Sequence, residues 1–213
     1  LGKLLGIHHR VAFLLSSGAA ICGGTAMAAV APIIKAKPQE LLIAMTIVFL
    51  LNAAAIIIFP IMGNYLAMNN FEFGAWSALA IHDTSSVIGS ALIFSNESAQ
   101  VAATLKLGRT IWLIPLILIA NWMFNKQTQV TKFPRFILFF ILAIIANTLF
   151  AFNEQAINLL QISSQAFLLF GLFCIGSQFD SIELKSISGK PLILALMLWA
   201  IVIPSAYFLV KYF

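Results

Sequence analysis

Leu41-Leu-Ile-Ala-Met-Thr-Ile-Val-Phe-Leu-Leu-Asn-Ala-Ala-Ala-Ile-Ile-Ile-Phe-Pro60 runs on to Phe71 without one Asp, Glu, Lys or Arg. A helix of about 20 apolar residues crosses the hydrocarbon core of a bilayer, so this stretch is long enough to span. The same ruler marks charge-free windows at residues 11–34, 110–125, 136–153, 155–179 and 191–210. A further apolar run, 73–94, is interrupted only by His82 and Asp83. The runs are continuous, whereas barrel strands alternate lipid-facing and lumen-facing residues. The expectation is an all-α, polytopic transmembrane helix bundle with six or seven apolar segments.

Composition agrees. Of 213 residues, 62% are hydrophobic and 9% charged, with a mean hydropathy of +1.02. A soluble domain carries about a quarter charged residues, so this chain cannot cover itself with a polar surface. Soluble enzymes, nucleic-acid readers and disulfide scaffolds are excluded together. The net charge of +5 fits Lys and Arg flanking membrane spans and attracted to anionic headgroups, so the expected partner is the lipid bilayer and not nucleic acid. Cys22 and Cys174 both lie in apolar stretches, where free Cys acts as a small hydrophobe. No metal site, cofactor or enzymatic role is expected.

No linker is long enough to separate soluble domains, so residues 1–213 read as one transmembrane domain. The chain opens on Leu1 and not Met, and is read as part of a longer protein. Lys3 and Arg10 ahead of residues 11–21 resemble a signal peptide, a reading set aside because everything downstream is equally hydrophobic. Turn-forming punctuation falls at Lys35-Ala-Lys37-Pro38 and Asn69-Asn70. Orientation stays open. If 11–34 crosses once, Lys3, Arg10, Lys126, Lys132, Arg135, Lys185 and Lys190 oppose Lys35, Lys37, Lys106, Arg109 and Lys211. If it turns back as a re-entrant hairpin, Lys35 and Lys37 change sides.

Two segments are unusual. The first, Ser16-Ser-Gly-Ala-Ala-Ile-Cys-Gly-Gly-Thr-Ala-Met-Ala-Ala-Val-Ala-Pro32, is dense in small residues and has paired glycines at its centre. Such a pair favours a helix break, which survives at membrane depth only against protein or a water-filled cavity. The same residues also form a four-residue seam suited to ordinary tight helix packing. The second, Gly74-Ala-Trp-Ser-Ala-Leu-Ala-Ile-His-Asp-Thr-Ser-Ser-Val-Ile-Gly-Ser90, places a carboxylate mid-span. That costs on the order of 3 kcal/mol on insertion scales and marks a functional candidate. On a continuous helix Asp83 would share a polar seam with Ser86 and Ser90. On a broken one it would cap the second half by accepting amides of Ser85 or Ser86. Ser163-Ser-Gln165 and Ser177-Gln178 form a third polar cluster, explained by interhelical hydrogen bonds.

The stretches Ile21-Cys-Gly-Gly-Thr-Ala-Met-Ala-Ala-Val-Ala-Pro-Ile-Ile-Lys-Ala-Lys37 and 74–89 resemble the two signature stretches of the YeiH-type bacterial membrane proteins, a family labelled as sulfate exporters. Leu105-Lys-Leu-Gly-Arg109 and the final helix with Trp199 fit it too. This resemblance covers essentially the whole chain. It implies a multi-pass inner-membrane transporter with a discontinuous helix, and further helices preceding this chain. Asp83 stands where many relatives carry Glu, and Thr25 where Ser is usual.

The leading expectation is a secondary transporter of a small anion such as sulfate or sulfite. Cys22, Gly23, Gly24, Thr25, His82, Thr84, Ser85 and Ser86 would bind the anion and Asp83 would carry a coupling proton. Lys106 and Arg109, at a helix start, read as interfacial anchors, with electrostatic attraction of anions as the second reading. Alternatives are a cation/proton antiporter using Asp83, or a non-transporting membrane subunit or sensor. A homo-oligomer is compatible with either.

Overall fold

The computed structural model describes residues 1–124 and 189–212, with scattered positions between 139 and 170. The expected spans at 136–153 and 155–179 lie largely outside the described residues, as does most of the third polar cluster. Ser163 itself donates to the Leu159 carbonyl at 2.8 Å. The chain falls into two units, Leu1–Thr131 with Ser188–Phe213, and Lys132–Ile187. The first holds α1 (His9–Ala20), α2 (Gly24–Val30), α3 (Pro38–Tyr65), α4 (Asn70–Ala80), α5 (Thr84–Phe94), α6 (Asn96–Thr110), α7 (Leu113–Phe124) and α8 (Gly189–Tyr212). In the second, residues 155–160 are helical.

Local chemistry sets the starts. Pro38 opens α3, and the Glu40 carboxylate accepts the Lys37 amide at 2.7 Å. Asn69 and Glu72 cap α4 reciprocally: each side chain accepts the other's backbone N–H, at 2.8 and 2.9 Å, the arrangement of a capping box. Ser95 Oγ accepts the Ser98 amide at 3.0 Å and starts α6.

Among the described residues, three stretches are long and apolar enough to cross a membrane: Pro38–Tyr65, Asn96–Phe124 and Gly189–Tyr212. In the middle one α6 passes into α7 through a turn at Ile111-Trp112. Their outer faces are apolar. α3 exposes Leu50, Ile57 and Ile61 while it buries Asn52, Ala55 and Phe59, the reverse of a helix shaped by water.

The other two expected spans do not cross. α1 and α2 fold back on each other: a Cβ placed at Gly18 would sit 3.2 Å from Met27 Cγ. His8, just before α1, pairs with Glu40 in the first turn of α3, Nδ1 to Oε1 3.0 Å. The chain therefore enters and leaves by the same face. α4 and α5 do likewise. Phe73 near the start of α4 stacks on Phe94 at the end of α5, ring centroids 4.0 Å apart. Ser98 Oγ at the start of α6 donates to the Asn70 carbonyl at 2.9 Å. With a rise of 1.5 Å per residue, α1, α4 and α5 each reach about 16–18 Å, roughly half of a 30 Å hydrocarbon core. Of the six or seven expected apolar segments, residues 11–34 leave both a single crossing and a re-entrant hairpin open. Two of those segments are re-entrant hairpins.

The two hairpins enter from opposite faces. α3 leads from the His8–Glu40 face to the opposite face, where Gly63 approaches Phe73 and Phe94. α6 and α7 lead back, ending where Phe124 stacks on His9 at 5.7 Å. A hairpin followed by a long helix thus occurs twice, in opposite orientations. α8 runs alongside. It starts near Gly6, whose added Cβ would lie 3.9 Å from Lys190 Nζ, and ends where Lys211 pairs with Glu72 at 2.9 Å. Phe59, Trp76 and Trp199 stack between α3, α4 and α8, with Phe59 4.4 and 5.9 Å from the two indoles.

Candidate functional site

The hairpin tips meet at the centre of the first unit. Gly23, between α1 and α2, has φ 61° and ψ −123°, a conformation open to glycine alone. A Cβ there would lie 3.4 Å from Asp83 Cβ. Both tips border the middle of α3. Gly24 faces Phe49, with an added Cβ 3.0 Å from its Cζ, and the His82 amide donates to Asn52 Oδ1 at 3.3 Å.

Asp83 caps α5. Its Oδ2 accepts the Ser86 amide at 3.0 Å, the Ser86 hydroxyl at 2.9 Å and the Ser85 hydroxyl at 2.8 Å. The helix is broken here, so the continuous polar seam through Asp83, Ser86 and Ser90 does not form. The break wins because an aspartate oxygen satisfies an amide that a helix start leaves unpaired. All three donors converge on Oδ2. Oδ1 takes no hydrogen bond from the described residues.

The opposite helix ends are covered. Lys106 Nζ donates to the Ile81 carbonyl at 2.7 Å and the Ala78 carbonyl at 3.4 Å. Arg109 Nη1 donates to Ala78 and Leu79 at 2.7 and 2.9 Å, and its Nη2 to the Ala20 carbonyl at the end of α1. Trp199 Nε1 donates to Ala80 at 3.0 Å. Every orphan carbonyl from Ala78 to Ile81 is thereby met by a side chain of α6 or α8, and one guanidinium joins the C-terminal ends of α1 and α4. A buried cation at a helix C-terminus also opposes the partial negative charge there.

Reading Lys106 and Arg109 as interfacial anchors at a helix start is therefore wrong. They lie near the C-terminal end of α6, Arg109 in its last turn, and Lys106 has no exposed surface. Their signal was present in the spacing. Asn96–Phe124 is one long apolar stretch carrying both cations in its middle, but a window bounded by charges cut it in two.

The remaining candidates divide. Cys22, Gly23, Gly24 and His82 are buried at the tips, Ser86 is buried against Asp83, and Thr84 and Ser85 are half-buried. Thr25 is exposed. The Ser85 and Ser86 hydroxyl protons go to Asp83, so these groups are not spare donors. The Cys22 sulfur lies against the Ala26 amide. The first amides of α2 and α5, those of Gly24, Thr25, Thr84 and Ser85, meet no acceptor among the described residues. His82 Nδ1 and Asn52 Nδ2 are buried and have no hydrogen-bond partner among the described residues. The site presents open amides at two helix starts, a carbonyl end of α4 met by side chains, and an end of α1 tied to it through Arg109.

Such an arrangement, with opposed hairpins meeting inside an apolar helical bundle, defines a helical membrane protein with a polar centre. Residues 1–195 match the family described as Conserved hypothetical protein 698. A UPF0324 membrane protein of Bacteroides thetaiotaomicron is 40% identical over 205 residues, covering 94% of this chain and 61% of the relative. One from Vibrio vulnificus is 41% identical over 206 residues, covering 94% and 66%. Another, from Porphyromonas gingivalis, is 40% identical over 203 residues, covering 94% and 62%. The chain belongs to the UPF0324 family of membrane proteins, in agreement with the YeiH-type resemblance of its two motifs. It spans about three fifths to two thirds of the length of these relatives. No solved structure matches it.

Proposed function

We propose that this chain is the larger part of a multi-pass carrier in the bacterial inner membrane that moves a small inorganic anion of the sulfate or sulfite type. The observation that carries the reading is the meeting of two oppositely oriented hairpins at half depth. Transporters built from inverted repeats bind their solutes between broken helices at the midplane, with half-helix N-termini aimed at anionic groups. Here the free amides of Gly24, Thr25, Thr84 and Ser85 supply the donors, and oxyanions suit such donors. The thiol of Cys22, the tight turn at Gly23 and the imidazole of His82 line the same place. Thr25 contributes its amide and not its hydroxyl. Asp83 Oδ1 takes the coupling proton.

The cation/proton antiporter reading asks for oxygens to surround a cation. The carbonyls of Ala20 and of Ala78 to Ile81 are already occupied by Lys106, Arg109 and Trp199, and Asp83 Oδ2 by three donors. With a carrier role, no enzymatic reaction is expected at these tips. The test is thermal stabilisation of the full-length protein in detergent. Sulfate or sulfite should raise the melting temperature, and monovalent cations should not. Stabilisation by cations alone moves the assignment to the antiporter, and silence in both panels to a subunit or sensor.

A further inference from the structure

At the tips the two helix starts and two helix ends carry opposite partial charges of about half an elementary charge each, which cancel. What remains is Lys106 and Arg109 against Asp83. Lys106 Nζ sits on the Ile81 carbonyl, two residues before Asp83, and Arg109 Nη1 on the Ala78 and Leu79 carbonyls of the same helix end. From α3 and α8 the uncharged Asn52 and Trp199 bond to the same tip. With Asp83 ionised and Lys106 and Arg109 charged, the described groups at the centre carry one positive charge in excess. With Asp83 protonated, they carry two. A buried excess charge is costly until a counter-charge arrives.

Resting on the anion-carrier reading, we propose that Lys106 and Arg109 set the valence of the bound anion: the ionised tips accept a monoanion, and a dianion binds together with one proton on Asp83 Oδ1. The free Oδ1 allows this without uncapping α5, because Oδ2 keeps its three donors. His82 Nδ1 and Asn52 Nδ2, unpartnered among the described residues and both buried beside the tips, supply further polar contacts for the entering oxyanion. On release the proton returns to water with the dianion. Lys106 acts here as a positioning charge, since its Nζ touches backbone carbonyls and not the solute.

The experiment is isothermal titration of the full-length protein in detergent at neutral pH, with sulfate and nitrate as probes, in two buffers of different ionisation enthalpy. Wild type should take up about one proton per sulfate and none per nitrate. Asp83→Asn should bind sulfate without proton uptake. Lys106→Gln should weaken sulfate by at least about tenfold while nitrate changes less, and Lys106→Arg should restore sulfate. A melting curve accompanies each variant. If Lys106→Gln does not fold, the proton count in wild type and Asp83→Asn decides alone. Sulfate binding with no proton uptake by wild type, or unchanged sulfate affinity in a folded Lys106→Gln, overturns this proposal and leaves the anion carrier standing. Failure of both anions to bind overturns the two together.

Discussion

Asp83 combines two demands that a single-function residue would not meet. As a cap it needs only an acceptor; as a proton carrier it needs a second, free oxygen. Asn caps as well as Asp, while Ala does not cap. Asp83→Asn should therefore melt close to wild type, and Asp83→Ala should lose about 0.5–2 kcal/mol. Both should lose transport driven by a pH gradient in proteoliposomes. Full pH-driven uptake by the Asn variant would end the proton-carrier role. Gly23 is constrained differently, by its backbone and not by space. Its φ of 61° and ψ of −123° are unsuited to any residue with a Cβ. Gly23→Ala should cost about 1–3 kcal/mol, read as a lower melting temperature. An unchanged melting curve would show that the turn can relax.

At the scale of elements, the end of α4 depends on side chains from elsewhere. A helix leaves four carbonyls unpaired, and in the apolar interior each unpaired one costs about 1–3 kcal/mol. Trp199→Phe keeps the stacking ring but frees the Ala80 carbonyl. It should lower stability within that range, and a neutral result would mean that another donor reaches Ala80. The approach of α4 to α6 is equally specific. A Cβ at Gly74 would lie 2.6 Å from the Ser98 carbonyl oxygen, too close for any real contact. Backbone must move to admit it, and Gly74→Ala should cost about 1–3 kcal/mol through overpacking. Because Lys106 and Arg109 bond to α4 from α6, the same change should also weaken anion binding.

Across the whole molecule, the hairpin topology reopens the question of orientation. With α1 and α2 re-entrant, Lys35 and Lys37 share a face with Lys3, Arg10 and Lys190, and the opposite face keeps Lys211 among the described residues. Lys106 and Arg109 leave the loop count because they are buried at half depth. Cytoplasmic loops carry the excess of Lys and Arg, so the His8–Glu40 face should be cytoplasmic. Single cysteines introduced at Lys37 and at Tyr65 in the full-length protein should react with an impermeant thiol reagent from opposite sides, with Tyr65 labelled in intact spheroplasts. Labelling of Lys37 from outside would reverse the assignment.

The sequence alone determined that this is a helical membrane protein, because hydropathy and the length of charge-free runs are properties of the chain and need no neighbours. It also pointed to the two breaks. Paired glycines and an Asp followed by Ser-Ser carry local conformational preferences that act within a few residues. Only the tertiary structure decided that each break reverses the chain, since the direction after a turn depends on what the second half packs against. His8 on Glu40 and Phe73 on Phe94 settle it. The roles of Lys106, Arg109 and Trp199 were illegible for the same reason: their partners are carbonyls some 25 to 120 positions away in the chain. A backbone oxygen has no residue-specific signature, and such pairings exist only once the helices are packed.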